Sequence, residues 1–453
     1  MSFISGRKKD KKPPPAEQKI KRKGEAVSGE VKGNAAHGFE ESGRKKEPIL
    51  QVPEEKEKKA GKKRFCLRNV LAAAEDSKEI FRERGGVDRP MLVIILLLIC
   101  FGSIMVFSAS YAYALSKTGD SYFFIKRQLA FSAIGIALMF GISFLDYRFI
   151  RKITPLYFGG AVLLLLAVLV LGVAEGEAVR WLYIGSFSIQ PSEIMKLGLV
   201  LILAYYYSLT EKQVWAKGFW RSSLFSTFIP LGIVLVVCIL VALEKHISGT
   251  VIMFAIGMAV IWSAGGKKVW FAAAVGGFGA GVAAIIAFTD YATKRLDIFR
   301  NPENYSVQSE VWQTLQGLYA VGSGGFFGVG LGNSRQKHLF VSQPQNDFIF
   351  AIVCEELGLI GAVAVIALFV AFFMRGLIIS KRVPDVFSKL TVIGIVSKVV
   401  IQAFLNIAVV TNLIPNTGVS LPFFSYGGSA LIILFMEMGV LLCISRYSCL
   451  EKS

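Results

Sequence analysis

The sequence predicts an all-α, polytopic membrane protein of about ten transmembrane helices, with a long extracytoplasmic loop between the seventh and the eighth. Of its 453 residues 54% are hydrophobic, too many for a soluble domain of that length to hide behind a polar surface. From Met91 onward they gather into runs near the ~20 residues that cross a hydrocarbon core, and residues 1–90 contain no such run. The net charge of +18 lies largely in the N-terminal tail and in short loops. That placement marks the cytoplasmic side of a membrane, not a nucleic-acid surface. Six cysteines and three histidines fall at no metal-ligand spacing. Cys100, Cys238, Cys354 and Cys443 read as small buried residues in or beside apolar segments.

Residues 1–90 read as a disordered basic cytoplasmic tail. Arg7–Lys12, Lys19–Lys23 and Lys56–Arg64 cluster charge, Pro13–Pro15 interrupts, and large apolar residues are few. A short helix fits over Val70–Arg84. No cleavable signal core precedes the first span, so the tail is expected to be retained. It is either a contact for anionic headgroups, at roughly 1 kcal/mol per basic residue, or a solvated determinant of topology.

The membrane domain, 91–453, divides into ten expected spans near 91–115, 128–146, 157–174, 184–208, 222–243, 249–265, 268–288, 347–374, 386–413 and 424–446. An even count puts both termini on one side. The loops holding Arg148, Arg151 and Lys152, then Lys212, Lys217 and Arg221, then Lys267 and Lys268, then Arg375, Lys381 and Arg382 fall with the tail, so that side is cytoplasmic. The loop at 289–346 is far longer than an ordinary helix connection, which marks it as functional or disordered. Tyr305, Trp312, Tyr319, Phe326 and Phe327 argue against disorder. The glycines of 322–332 permit positive φ and close approach of backbone to a ligand, but no Gly-Lys-Ser/Thr follows, so this is not a nucleotide P-loop.

Three places carry chemistry. Glu193 and Lys196 stand at i, i+3 on one helix face, where ionisable groups normally face a bundle interior or a watered cavity. They either line a polar cavity, with the lysine available to a phosphate, or pin two helices as an ion pair. Asp347 opens the eighth span at the outer rim. It is either a first-turn acid stabilised by the helix dipole or a general base beside a groove that an acceptor hydroxyl can enter. Glu355 and Glu356 do not share its face, and helix packing suits them better. The segment 416–429 is irregular backbone before the last span, tolerated at membrane depth only in a protein interior or a cavity. Its Ser, Thr, Asn and Tyr groups suit sugar hydroxyls or a re-entrant turn equally.

Four stretches resemble the SEDS family of FtsW, RodA and SpoVE proteins: 180–196, 313–337, Asn346-Asp-Phe-Ile-Phe-Ala-Ile-Val-Cys-Glu-Glu-Leu-Gly358 and Thr417-Gly-Val-Ser-Leu-Pro-Phe-Phe-Ser-Tyr-Gly-Gly-Ser429. They occur in order over nearly everything after residue 90. The resemblance implies a glycosyltransferase that polymerises lipid II on the outer face of the cell membrane, paired with a class B penicillin-binding protein and other divisome proteins. Nucleic acid is not an expected partner. The resemblance places the family's essential aspartate at Asp347 and its helix-four acid and base at Glu193 and Lys196. The matching stretches add Trp181, Gln190, Ser192, Gln313, Ser425 and Tyr426 as candidate substrate-binding residues, and in the mechanism expected from them Lys196, Arg295 or Lys337 stabilises the leaving pyrophosphate. Two positions depart from the family pattern. Lys245-His-Ile-Ser-Gly-Thr250 lacks the aspartate of the usual Pro-Asp-Leu-Gly-Thr, leaving Glu244 or His246 to replace it, and Gln345-Asn346 precedes Asp347 where a histidine and a threonine are usual. The patterns lean toward the division or sporulation branch.

No cofactor is required by the sequence, and a divalent cation, Mg or Mn, stays open because no acidic cluster announces one. The rival reading is a lipid II flippase, which should show internal repeats and midplane charges; no clear repeat is seen. A third is a division scaffold, which leaves the polar motifs unexplained.

Overall fold

Three helices begin where an aspartate accepts a free N–H of the first turn. Asp88, Asp146 and Asp385 each do so, accepting from Met91, Arg148 and Ser388. In a computed structural model, residues 85–175, 178–184, 187–288, 290–300 and 310–448 are described. The helices are α1 Arg89–Thr118, α2 Phe123–Ser143, α3 Tyr147–Leu171, α4 Pro191–Val214 and α5 Phe219–Leu243. Then follow α6 Ile247–Ser263, α7 Lys268–Phe288, α8 Asp290–Arg300, α9 Glu310–Ser323, α10 Ile349–Arg382, α11 Val386–Val410 and α12 Gly428–Ser445. Among the described residues eight are long and apolar enough to cross a membrane: α1–α5 and α10–α12. The other two expected spans fall on the shorter apolar helices Ile247–Ser263 and Lys268–Ala284. The expectations for the tail before Gly85 lie outside the described residues.

Both ends of the described domain meet at one face. Gly85 N–H donates to Arg446 O at 3.0 Å, and the Asp88 carboxylate takes a two-pronged bond from Arg375, at 2.9 and 2.6 Å. Helices α4, α11 and α12 are the most buried of the long helices, and they form the core on which the others pack. Outward, Leu156, Leu163, Val170 and Phe404 are left exposed, as lipid-facing residues should be.

Cys100, expected to be buried, is exposed, and three further expectations need correction. The fourth span does not begin at 184: three strands, β1 Val173–Glu175, β2 Ala178–Ile184 and β3 Phe187–Ile189, pair antiparallel in sequence order ahead of it. Their β-branched and aromatic residues favour strand, and Pro191, suited to a first helical position, starts the helix after them. Second, Arg148, Arg151 and Lys152 are not in a loop but in the opening turns of α3, and Lys212, Arg221 and Lys268 lie in α4, α5 and α7. Arg375, Lys381 and Arg382 likewise belong to α10, because capping at Asp146 and the long α10 carry helix into the basic segments. Third, the segment after α7 is no plain loop, since it contains α8 and α9.

The glycine-rich stretch packs against backbone of its own chain. Gly358, at φ 65° and ψ −162°, breaks α10 and would leave helix-end groups without partners. Beyond the break, Leu359 and Ile360 N–H donate to Gly325 O and Phe326 O (2.9 and 3.2 Å). Before it, Glu355 O and Glu356 O accept from Val329 and Gly330 N–H (2.9 and 3.0 Å). A Cβ on Gly324 would clash with Cys354 O, and one on Gly328 with Glu356 O. The glycines therefore serve a splint across a helix break.

Candidate active site

The break in α10 also organises two of the acids singled out by sequence. Glu356 accepts from Lys337 Nζ at 2.9 Å and from Ser108 Oγ at 2.7 Å. Glu355 accepts from Ser334 Oγ and, at 2.8 Å, from Arg335 N–H. Both are buried, in the packing role expected of them. Lys337 also donates to Gly332 O at 2.6 Å and is buried, so its ammonium is committed to the splint.

Asp347 stands apart from that cluster, at the end of the segment leading into α10. Three consecutive carbonyls there are held from outside. Gln345 O accepts from Tyr426 N–H (2.8 Å), Asn346 O from Ser425 Oγ (2.7 Å), and Asp347 O from Asn406 Nδ2 (2.7 Å). Ser425 Oγ also accepts from Leu421 N–H at 2.7 Å, closing the turn it stands on. The Asp347 carboxylate faces Gly418: Oδ2 lies 3.8 Å from where a Cβ would stand on that residue, whose φ is +63°. Asp347 and the 416–429 segment, singled out separately by sequence, thus belong to one frame, with a half-buried carboxylate at its edge.

Beneath the frame runs a chain of buried charge. Lys196 Nζ reaches Glu193 Oε1 at 2.6 Å, as the i, i+3 spacing predicts. It also reaches Gln402 Oε1 at 3.3 Å, and Gln402 Nε2 donates to Ser420 O and Oγ, both at 3.1 Å. Lys398 Nζ lies 3.9 Å from Glu193 and 2.9 Å from Glu437. A cavity of about 40 Å³ touches Glu193, Lys398, Gln402, Ser420 and Ser425, enough for water, which needs roughly 10–15 Å³. Lys398, Gln402, Asn406 and Glu437 were not singled out by sequence. The available signal was three polar residues spaced by four, on one face of an apolar helix.

The turn between α5 and α6 borders this centre. Ser248 Oγ donates to Thr417 O at 2.7 Å, and Arg180 of β2 donates to Lys245 O at 3.4 Å. Burial raises Glu244 to about 8, opposed by Arg180. It lowers His246 to about 3, with Arg180 and Lys196 acting in the same direction. Both groups are thus largely neutral near pH 7.

The remaining candidates are dispersed. Trp181 is half-buried on β2, Gln190 occupies the cap position of α4, and Ser192 is buried with no hydrogen-bond partner for its Oγ. Gln313 Nε2 bonds Ser342 O at 3.1 Å, and the Tyr426 ring packs edge-on against Phe124. The side chain of Arg295 lies outside the described residues. Among the described residues no three His, Cys, Asp or Glu side chains converge as a metal site.

The sequence matches the family profile described as "Cell cycle protein", that of FtsW, RodA and SpoVE, over residues 89–449. Stage V sporulation protein E of Bacillus subtilis is 41% identical over 370 residues, 81% of this chain and 99% of that one. A probable peptidoglycan glycosyltransferase FtsW from Geobacter sp. is 36% identical over 374 residues, 80% and 98% of the two chains. Two solved structures share the fold at 23% identity. One is a chain of a peptidoglycan synthase complex described for its coordination of polymerization and crosslinking, with TM-score 0.64 over 80% of this chain and 98% of that one. The other is the Thermus thermophilus rod shape determining protein RodA, with TM-score 0.59 over 80% and 97%.

Proposed function

The chain belongs to the FtsW, RodA and SpoVE family, and we propose that it is a membrane peptidoglycan glycosyltransferase whose reaction turns on the carboxylate of Asp347. Asp347 takes the proton from the 4-hydroxyl of the GlcNAc on one lipid-linked unit. That oxygen attacks the anomeric carbon of the MurNAc at the lipid-linked end of the growing strand. The new C1–O bond forms as the bond from C1 to the pyrophosphate oxygen breaks, with inversion, and undecaprenyl pyrophosphate leaves with the electron pair. The observation that carries this reading is the frame itself: a rim carboxylate facing Gly418, beside uncharged donors and acceptors and with buried charge below. Lys196 is linked to this frame by hydrogen bonds through Gln402 to Ser420. Lys337 is withdrawn from that role, because its ammonium is engaged by Glu356, Ser108 and Gly332. No step is assigned to a divalent cation.

Lipid II as donor and acceptor, a class B penicillin-binding protein as cross-linking partner, cytoplasmic termini and a place at the division or sporulation septum complete the proposal. Within the division and sporulation branch, the identity to the Bacillus subtilis sporulation protein, 41%, against 34% to that organism's FtsW, supports the sporulation side. The test is glycan synthesis from purified lipid II by wild type and Asp347→Asn, with and without a transpeptidase partner whose active serine is removed. Wild type should make long strands and the variant should lose about 10²–10⁴-fold, the usual weight of a positioned general base. Wild-type synthesis by the variant would remove Asp347 from the chemistry. No strands from either folded protein would favour transport of lipid II instead.

A further inference from the structure

We propose that Asn406 is a positioning residue for Asp347, an inference that rests on the reading of Asp347 as the base. Asn406 is fully buried on α11, one turn beyond Gln402. Its Nδ2 donates to Asp347 O and to Val419 O, each at 2.7 Å. A side-chain amide nitrogen carries two protons in one plane, so these bonds use both and set the distance and angle between the two carbonyls.

The two carbonyls belong to the two halves of the frame, 59 and 13 residues from Asn406. The Ala351 N–H, four residues on, goes to Phe348 O at 3.0 Å. Tyr426 and Ser425 hold Gln345 and Asn346, the two residues before it. Asn406 holds the residue that bears the carboxylate, and it does so from the rigid core instead of from the 416–427 segment. The same nitrogen fixes the backbone at Val419, beside the Gly418 that the carboxylate faces. It therefore sets where the base stands relative to the opposite wall. A displacement of about 1 Å at a reacting group costs on the order of 10² in rate even when the cause is remote.

The experiment measures kcat and KM for lipid II with the full-length chain and its cognate transpeptidase, for wild type, Asn406→Asp, Asn406→Ser and Asp347→Asn. Thermal unfolding supplies the folded fraction. Asn406→Asp keeps the size, removes both donors and sets an acceptor against two carbonyls. Asn406→Ser keeps a single hydroxyl donor, and serves if the aspartate variant does not fold. The expected result is a kcat per folded enzyme reduced about 10–100-fold for Asn406→Asp and less for Asn406→Ser, with KM within about threefold of wild type. A purely structural residue would lower the folded fraction and leave kcat per folded enzyme unchanged, and that outcome overturns the proposal. If Asp347→Asn is silent while the folded Asn406 variants turn over at the wild-type rate, the positioning role alone fails. If Asp347→Asn is active, the reading of the base fails and the positioning role falls with it.

Discussion

At the break in α10 every carboxylate oxygen has a donor, whereas beneath the 416–427 segment the same kind of chemistry is left partly open. All four oxygens of Glu355 and Glu356 accept hydrogen bonds, from Ser334, Arg335, Gln336, Lys337 and Ser108. Glu437 binds Lys398 through one oxygen and has no hydrogen-bond partner for the other, and a cavity touches Glu193 and Lys398. Buried charge is tolerated when its bonds are completed. Completed bonds make a splint; incomplete ones beside a cavity leave room for a ligand or water. The contrast separates two groups of acids that sequence alone presents as similar polar interruptions of apolar helices.

The contrast is broken most directly at the splint. Lys337→Met leaves Glu356 buried without its cation, and loss of one partner of a buried pair costs about 3–5 kcal/mol. The yield of folded protein and its unfolding temperature in detergent should both fall. Unchanged unfolding would show that the splint does not depend on this pair. Lys196→Met should behave differently, since Glu193 keeps Lys398 at 3.9 Å. We expect a smaller drop in unfolding temperature than for Lys337→Met, but at least a tenfold loss of strand synthesis per folded enzyme, about 1.4 kcal/mol in the barrier. The reverse order of the two stabilities would dissolve the distinction.

Gly328→Ala probes the splint without touching charge. A non-glycine residue at φ +79° carries about 1–3 kcal/mol of strain, and the added methyl meets Glu356 O besides. Limited proteolysis after 322–332 should accelerate; a wild-type digestion rate would mean that the segment yields elsewhere.

The smallest expected effect is at Glu244, which shows whether the turn beside the site shares its open character. Its folded value of about 8 is above that of an unfolded glutamate, near 4.3. Between those values the folded state binds more protons than the unfolded one, so this group makes stability fall as pH rises. His246 acts oppositely, with its contribution lost as pH falls below about 6.5 toward about 3. From about pH 7.5 to 8, one unit above the unfolded histidine value, the contribution of Glu244 outweighs that of His246. Glu244→Gln should flatten the decline of unfolding temperature there, by at most about 1.4 kcal/mol per pH unit. An identical slope in the variant would show that the carboxyl titrates normally.

Much of the membrane domain was legible because the signals are local. A run of apolar residues identifies a span whatever it packs against, and i, i+3 spacing brings Glu193 to Lys196 within a single helix. Asp347 and the 416–429 segment stood out for a related reason: polar backbone and side chains beside hydrocarbon need an explanation. The strands β1–β3 were hidden, because strand-forming residues in an apolar context are not told from helix by periodicity alone. Lys398, Gln402, Asn406 and Glu437 were hidden inside spans that the apolar count absorbed.

The sequence by itself determined the class of protein, the position of nearly every helix and the residues with chemistry to offer. It also supplied the glycines without which the α10 break could not be bridged. Tertiary structure alone decided which partner each charge has. Lys337 and Asp347 lie ten residues apart in the chain, yet one is closed off by a serine from α1 and the other is held by an asparagine from α11. A hydrogen bond depends on where two groups stand in space, and groups 229 or 59 residues apart are brought together only when the helices between them have packed.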